Sequence, residues 1–495
     1  MTETAANPAN TDTSDLPEPT DENCTRHVLQ AEEELRLEVS FLGTKIETTC
    51  VIELKKGSCE LWGVELALQK KYTLDGGFKA ALFTWHGCVV DVTCEHLDIS
   101  YSSNETAANV AYVNTHAQLE ALRDDAAMNG QEGPRVLIVG PPESGKSSLT
   151  KILVAYATKL GRTPLWVDLD PADNGVSVPG TLAAVPMAGD SAVVETYATG
   201  GIPIGTTPLV LFHGTTTLQP ELYKAQVTAL ADKIQLRLDA QKDVQPDENN
   251  NPGAAPNFFN ERSSGIIVNT NGWIQDEGFQ LLLHTINVMK ITVVLIMGHD
   301  RLYSMMSNHI KKIADTAVKP KIIKLPRSGG TVSREAAFLR QARSRSMKRY
   351  FYGDMVEPTQ QQQQGATTTT TRVPQLTPFL NQIPFKELTL YKLSAIALSA
   401  SLLPVGMGQS TDSIQVQEVE LSESLQHALV AVCHPHAVAA YQKSGRARDL
   451  FQAGAAGFCA IERVVMDTDT VHLLCPCAGN LPSKTLLLGD ITWME

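Results

Sequence analysis

Gly140-Pro-Pro-Glu-Ser-Gly-Lys-Ser147 fits the phosphate-loop pattern G-x-x-x-x-G-K-[ST], and its flanks decide which fold it belongs to. Upstream, Arg135-Val-Leu-Ile-Val139 is a short apolar run with Gly133-Pro134 before it, which predicts a strand buried on both faces. Downstream, Leu149, Ile152, Leu153, Tyr156 and Leu160 recur at helical spacing, and Gly161 follows as a left-handed stop. Strand, glycine loop and helix form the context in which successive N–H groups turn inward around a phosphate, with the helix N-terminus adding partial positive charge. Lys146 is expected to reach the β- and γ-phosphates of ATP and Ser147 to ligate Mg²⁺. Gly140, Pro141, Pro142, Glu143, Ser144, Gly145 and Ser148 complete the expected ATP-binding loop.

Outward from this motif the chain alternates between strands and helices. Leu165-Trp-Val-Asp-Leu169 predicts a second buried strand and leads into Asp170-Pro-Ala-Asp-Asn-Gly175. An acidic residue at such a strand end holds Mg²⁺ or accepts the proton of the attacking group; Asp170 is the first candidate and Asp168 the second. Further strands are expected at Gly265–Asn269, Ile291–Ile296 and Lys321–Leu325, which gives an α/β domain with a parallel sheet wrapped by helices. It spans 114–354, opens on a linking helix over Asn114–Ala127, and carries a polar surface insertion near 241–262.

The flanks read differently. Residues 1–25 are a polar, Pro-rich tail. From 26 to 113, short β-branched runs separated by glycines predict a small all-β sandwich or barrel. Residues 355–383, with Gln360–Gln364 and threonines 367–371, form a low-complexity linker, and 384–495 read as a third, β-rich domain.

The 495 residues are 43% hydrophobic, enough for roughly three domains. No apolar run approaches the ~20 residues of a membrane span, and no secretory or mitochondrial signal is visible at the N-terminus. The net charge of −13 argues against a broad electrostatic grip on nucleic acid. Arg334, Arg340, Arg343, Arg345, Lys348 and Arg349 form a local basic run that reads equally as a solvated helix face. Nine scattered cysteines fit a reducing compartment, and neither Cys433-His-Pro-His436 nor Cys475-Pro-Cys477 has zinc-knuckle spacing.

Taken together and in order, several stretches resemble the Clp-type branch of the polynucleotide 5′-hydroxyl kinase family, which includes the P-loop subunit of the pre-mRNA cleavage and polyadenylation factor. They are Phe83-Thr-Trp-His-Gly-Cys88, Gly133-Pro-Arg-Val136, Val176-Ser-Val-Pro-Gly180, Val268-Asn-Thr-Asn-Gly-Trp273, Asp300-Arg-Leu-Tyr303, Ser328-Gly-Gly330, Tyr350-Phe-Tyr-Gly353 and Leu403-Pro-Val-Gly-Met407. The resemblance implies a central RecA-like P-loop domain between N- and C-terminal β domains. It also implies ATP and Mg²⁺ as cofactors and a nuclear site of work. Implied partners are a scaffold subunit that reads the RNA polymerase II tail, other cleavage and polyadenylation subunits, and pre-mRNA. Asp170 would be the general base and metal partner, while Glu34 and Lys79 would touch the adenine. Trp273, a core residue when read alone, would stack on the RNA's terminal nucleotide, and Thr215, Thr216 and Thr217 would hold its backbone.

Active members carry Asp-x-Gly-Gln-Gly where this chain has Asp170-Pro-Ala-Asp-Asn174. They also close an arginine lid, for which Arg340 and Arg343 are counterparts, with Ser346 where another arginine is expected and Arg345 beside it. An arginine finger contributes about 10³-fold or more to phosphoryl transfer, so the departures, shared in kind by fungal members, point to binding without turnover. The leading expectation is an ATP-binding assembly subunit, the alternative an active RNA 5′-hydroxyl kinase, and the third a motor-type NTPase.

Overall fold

The Arg135–Val139 strand is buried at every position and lies parallel to Ile266–Asn269 on one side and Val293–Met297 on the other. Leu165–Asp168 and Lys321–Leu325 extend the parallel set outward. Its side chains alternate between two cores, as a strand's must. Val136 and Ile138 pack with Leu149 and Leu153 of the Lys146–Lys159 helix, and Leu137 and Val139 pack with Val227, Leu230, Leu282 and Ile286 from the opposite layer. The computed structural model describes residues 8–41, 48–198, 200–201, 206–217, 219–242, 260–312, 319–356, 373–395 and 414–494. The start of the N-terminal tail, most of the 241–262 insertion, the glutamine and threonine runs, and Leu403–Met407 lie outside these residues.

The central sheet is mixed rather than purely parallel. Thr181–Pro186 and Leu209–Phe212 join its Leu165–Asp168 edge in antiparallel register, making seven strands. A parallel return needs a crossover, usually a helix; the Leu169–Gly180 connection holds none, so the chain doubles back.

Ahead of this sheet, nine strands among the described residues between Cys24 and Ser103 form a four-stranded and a five-stranded antiparallel sheet. Leu35, Leu37, Ile52, Leu54, Leu82 and Val90 fill the core they share. The linking helix begins at Ala107, earlier than the sequence pattern suggests, because Ala108 and Tyr112 are buried in the junction; Tyr112 Oη donates to the Pro326 carbonyl at 3.1 Å. At the other end, seven strands among the described residues from Phe379 to Thr492 make the C-terminal sheet, accompanied by the Pro435–Ser444 helix.

The Ala336–Tyr352 helix touches all three parts. Arg345 donates to the Gly76 carbonyl at 2.6 Å in the N-terminal part, and Arg349 donates to Thr196 at 3.1 Å beside the central sheet. Tyr350 Oη accepts from Phe458 N at 3.0 Å, and Phe351 stacks on Trp493 with centroids 5.1 Å apart. Two of the six cations in the basic run, Arg345 and Arg349, are therefore structural.

Candidate nucleotide site

The phosphate loop turns on Gly145, whose φ of +88° is left-handed and caps the Lys146–Lys159 helix. A second close approach sits at Gly272, where an added Cβ would lie 2.5 Å from Pro142 Cγ. Lys146 is 7% exposed and donates to the Pro141 carbonyl at 2.7 Å; Ser144 Oγ donates to the same oxygen at 2.9 Å. Burial lowers the Lys146 pKa to about 8, against the pull of Asp170. Ser147 Oγ accepts from Asn269 Nδ2 at 3.3 Å.

Asp168 and Asp170 part ways at the end of their strand. Asp168 is buried and fully engaged: Oδ1 accepts from Asp170 N at 3.0 Å and Asn269 Nδ2 at 3.1 Å, and Oδ2 accepts from Gly175 N at 3.0 Å. Burial, then the Asp170 charge, pushes its pKa up to about 7. Asp170 faces the cavity, with its pKa raised to about 6 by burial and by the charge of Asp173. Asn174 locks the following turn, accepting from Val176 N and Ser177 N at 2.9 Å and donating to the Thr181 carbonyl at 3.0 Å. Asp173 reaches Arg334 at 3.7 Å.

A cavity of about 410 Å³, within the range of small-molecule sites, opens between this loop and the N-terminal sheet. Glu34, Arg36 and Glu38 share one face of the Glu33–Val39 strand and line it. Arg36 Nε donates to Glu34 at 2.6 Å and Nη1 to Tyr101 Oη at 3.1 Å. Lys79 pairs with Glu38 at 2.7 Å, and its ammonium stands 5.4 Å from the Phe338 ring centre. Trp62 and Glu60 enter from a tight hairpin whose Gly63 backbone lies against Ile152 and Ala155 of the phosphate-loop helix. Ser328-Gly-Gly330 closes the rim; a Cβ at Gly330 would lie 3.0 Å from Arg36 Nε.

Of the residues singled out in the sequence, Pro142, Glu143, Ser144, Gly145, Lys146, Ser147, Ser148, Asp170, Glu34, Lys79, Trp273 and Arg343 line this one cavity. Gly140 and Pro141 lie at the base of the loop, and Pro141 lines an adjoining groove that shares Pro142 and Trp273. Trp273 is half-buried, 5.9 Å from the Tyr223 ring. Arg340, Thr215, Thr216 and Thr217 stand elsewhere. Arg340 is exposed and is not among the lining residues. Thr216 and Thr217 follow Gly214, whose carbonyl accepts from Asp490 N at 2.7 Å, which sets them beside the C-terminal sheet. Arg36, Glu38, Trp62 and Tyr101 escaped the sequence reading, because alternating charges along a strand ordinarily mark a solvated face.

Lys146 and the loop N–H groups at one end, and a wall of paired charges with Trp62 at the other, suit an elongated anion with an uncharged head. Among the described residues no cluster of three or more His, Cys, Asp or Glu is arranged to hold a metal by itself. Ser147 Oγ and the Asp170 carboxylate, with an unpartnered buried Asn269 Oδ1 behind them, nevertheless fit Mg²⁺, which takes few protein ligands and completes its shell with phosphate oxygens and water.

A mixed sheet with a phosphate loop at its centre and a β wing closing the loop defines a P-loop nucleotide-binding class. Three family profiles cover most of the chain: the N-terminal beta-sandwich domain of polyadenylation factor at residues 28–126, the mRNA cleavage and polyadenylation factor CLP1 P-loop at 140–248 and 256–353, and pre-mRNA cleavage complex II protein Clp1 at 376–495. The chain is 34% identical to the Protein CLP1 homolog of Dictyostelium discoideum over 95% of this chain and 90% of that protein. It is 30% identical to the human polyribonucleotide 5′-hydroxyl-kinase Clp1, over 95% of this chain and 97% of the relative. Among solved structures, the Clp1p chain of a wild-type Clp1p–Pcf11p complex superposes with a TM-score of 0.73 at 22% identity, covering 96% of this chain and 99% of that one. The chain belongs to the Clp1 family of pre-mRNA cleavage and polyadenylation proteins.

Proposed function

We propose that this protein is an ATP-binding subunit of the nuclear pre-mRNA 3′-end cleavage and polyadenylation machinery, in which nucleotide joins the N-terminal β domain to the P-loop domain and supports assembly, with little or no kinase turnover. The observation that carries this reading is the cavity itself, walled on one side by the phosphate loop and on the other by the Glu33–Val39 face. A ligand gripped by both walls stabilises their junction in proportion to its occupancy. Lys146 and the loop N–H groups would hold the phosphates, Ser147 and Asp170 would hold Mg²⁺, and Glu34 and Lys79 would border the base. The metal would neutralise phosphate charge. A solved relative is in complex with Pcf11p, so a scaffold of that kind is the partner expected to dock here, with other cleavage subunits and pre-mRNA beyond it.

Asp173 supports the low turnover. It sets a negative charge beside Asp170 where active members have glutamine, and the Arg334 that could meet a transferring phosphoryl group is drawn toward it. The test is to purify the protein without added nucleotide, denature it and identify what is released. Bound ATP near one per chain is expected. An empty protein with no measurable ATP affinity overturns the reading.

The second reading, an active RNA 5′-hydroxyl kinase, is favoured by Asp170 and Trp273 standing on the same cavity wall. Transfer of labelled γ-phosphate to 5′-hydroxyl RNA, lost in Lys146→Ala, would put it in first place.

A further inference from the structure

Asn269 ends the Ile266–Asn269 strand, which lies between the phosphate-loop strand and the Leu165–Asp168 strand. From there its amide nitrogen makes two bonds, one to Ser147 Oγ at 3.3 Å and one to Asp168 Oδ1 at 3.1 Å. The amide orientation follows from its neighbours. Both Asp168 oxygens already accept from backbone N–H groups of Asp170 and Gly175, so a reversed amide would set oxygen against oxygen. Asn269 is 1% exposed, yet its Oδ1 is buried without a partner. Such an atom costs stability and calls for an explanation. Ser147, in contact with Asn269, lines the cavity.

Resting on the nucleotide reading of that cavity, we propose that Asn269 is a positioning residue for a divalent cation at Ser147. By donating to Ser147 Oγ it fixes the hydroxyl's rotamer and occupies one of its lone pairs, leaving the other for the cation. By donating to Asp168 in the same gesture it ties that rotamer to the strand end from which the Asp170 loop departs. Its own oxygen is left to accept from water, part of which Mg²⁺ retains when it binds. A bland strand-end amide would do none of this; it would hold two strands together and nothing more.

The test is equilibrium binding of ATP to the full chain, with Mg²⁺ and with EDTA, the ratio of the two affinities being the readout. In Asn269→Leu the ratio is expected to fall about tenfold or more, the usual loss when the partner of a metal ligand is removed, while affinity in EDTA stays near wild type. Thr270→Val, which loses only a bond to the Ile138 carbonyl, serves as the neighbouring control and should keep the ratio. In a Ser147→Ala background, Asn269→Leu should have no further effect on the ratio, because the two act through one oxygen. If Asn269→Leu fails to fold, Asn269→Ser gives the same measurement with a smaller change. A variant that melts lower but keeps the wild-type ratio overturns the inference, as do losses that add in the double variant. Wild type that binds ATP in neither condition overturns the nucleotide reading itself, and that arm is read separately.

Discussion

The two walls of the cavity are built by opposite means. The phosphate-loop wall comes from nine consecutive residues, Gly140–Ser148, and depends on backbone: a left-handed Gly145, a helix N-terminus, and a lysine whose bond goes to a neutral carbonyl rather than a carboxylate. The sheet wall gathers side chains from several strands between residues 34 and 101, and its charges are matched pairwise: Arg36 with Glu34, Lys79 with Glu38. Its one unpaired acid, Glu60, meets the Tyr156 hydroxyl. One wall is left electropositive and the other polar but compensated. The first suits a phosphate chain and the second an uncharged base and sugar, so the difference between the walls gives the ligand a direction.

That contrast is easiest to break with a ligand that has no head. In Lys146→Ala with Ser147→Ala, affinity for ATP and for inorganic tripolyphosphate should fall together, by about 100-fold or more, since two charge-assisted contacts are lost. Calorimetry decides it. ATP binding that survived this double variant would mean that the sheet wall carries the affinity. Trp62→Ala, on the opposite wall, should lower ATP affinity about tenfold, a typical loss for an aromatic platform under a base, and leave tripolyphosphate unchanged. Equal losses for both ligands would erase the assignment of head to sheet.

A smaller effect separates the walls by pH. Lys146 titrates at about 8 in the free protein because it is buried, whereas phosphate binding requires it charged. Above pH 8 the protein must take up a proton to bind, so affinity should fall with a slope approaching tenfold per pH unit. The slope should persist in Trp62→Ala and vanish in Lys146→Ala. Binding heats that do not depend on buffer ionisation at pH 9 would show that no such proton is taken up.

The phosphate-loop wall was legible because its chemistry is local. Glycine spacing, a lysine and a hydroxyl specify geometry without reference to anything distant, and four of the five parallel strands carried the pattern of doubly buried runs, the edge strand Lys321–Leu325 being the exception. The antiparallel strands Thr181–Pro186 and Leu209–Phe212 were not legible, since nothing in their composition says which sheet they join; for the first, a short helix-free connection decides that. On the sheet wall, Glu33-Glu-Leu-Arg-Leu-Glu-Val39 reads as a half-solvated strand. Its polar face became a site when the Ser328–Gly330 turn and the phosphate loop covered it, leaving Glu34 only 3% exposed. Family resemblance found Glu34 and Lys79 there, but not Arg36, Trp62 or Tyr101. Tertiary closure, not sequence pattern, separates a covered charged face from an open one.

The smallest expected effect lies at the seam between the walls. Glu60, on the N-terminal hairpin, accepts from the Tyr156 hydroxyl of the phosphate-loop helix at 2.5 Å. Burial pushes its carboxyl up to about 7, with the tyrosine bond acting in the other direction. A carboxyl raised from 4.5 to about 7 holds its proton longer in the folded state than in the unfolded one. The stability it contributes is therefore complete below pH 4.5 and is lost as pH rises through 7, where a buried carboxylate forms at the seam. Glu60→Gln keeps the shape and the acceptor oxygen but cannot ionise. Its melting temperature should lie at or slightly below wild type at pH 5 and about 1–3 °C above it at pH 8. Thermal melts of both proteins across that range, in one ionic strength, measure the crossing. Parallel curves would mean that Glu60 does not titrate there, and the seam would then be as compensated as the sheet wall beside it.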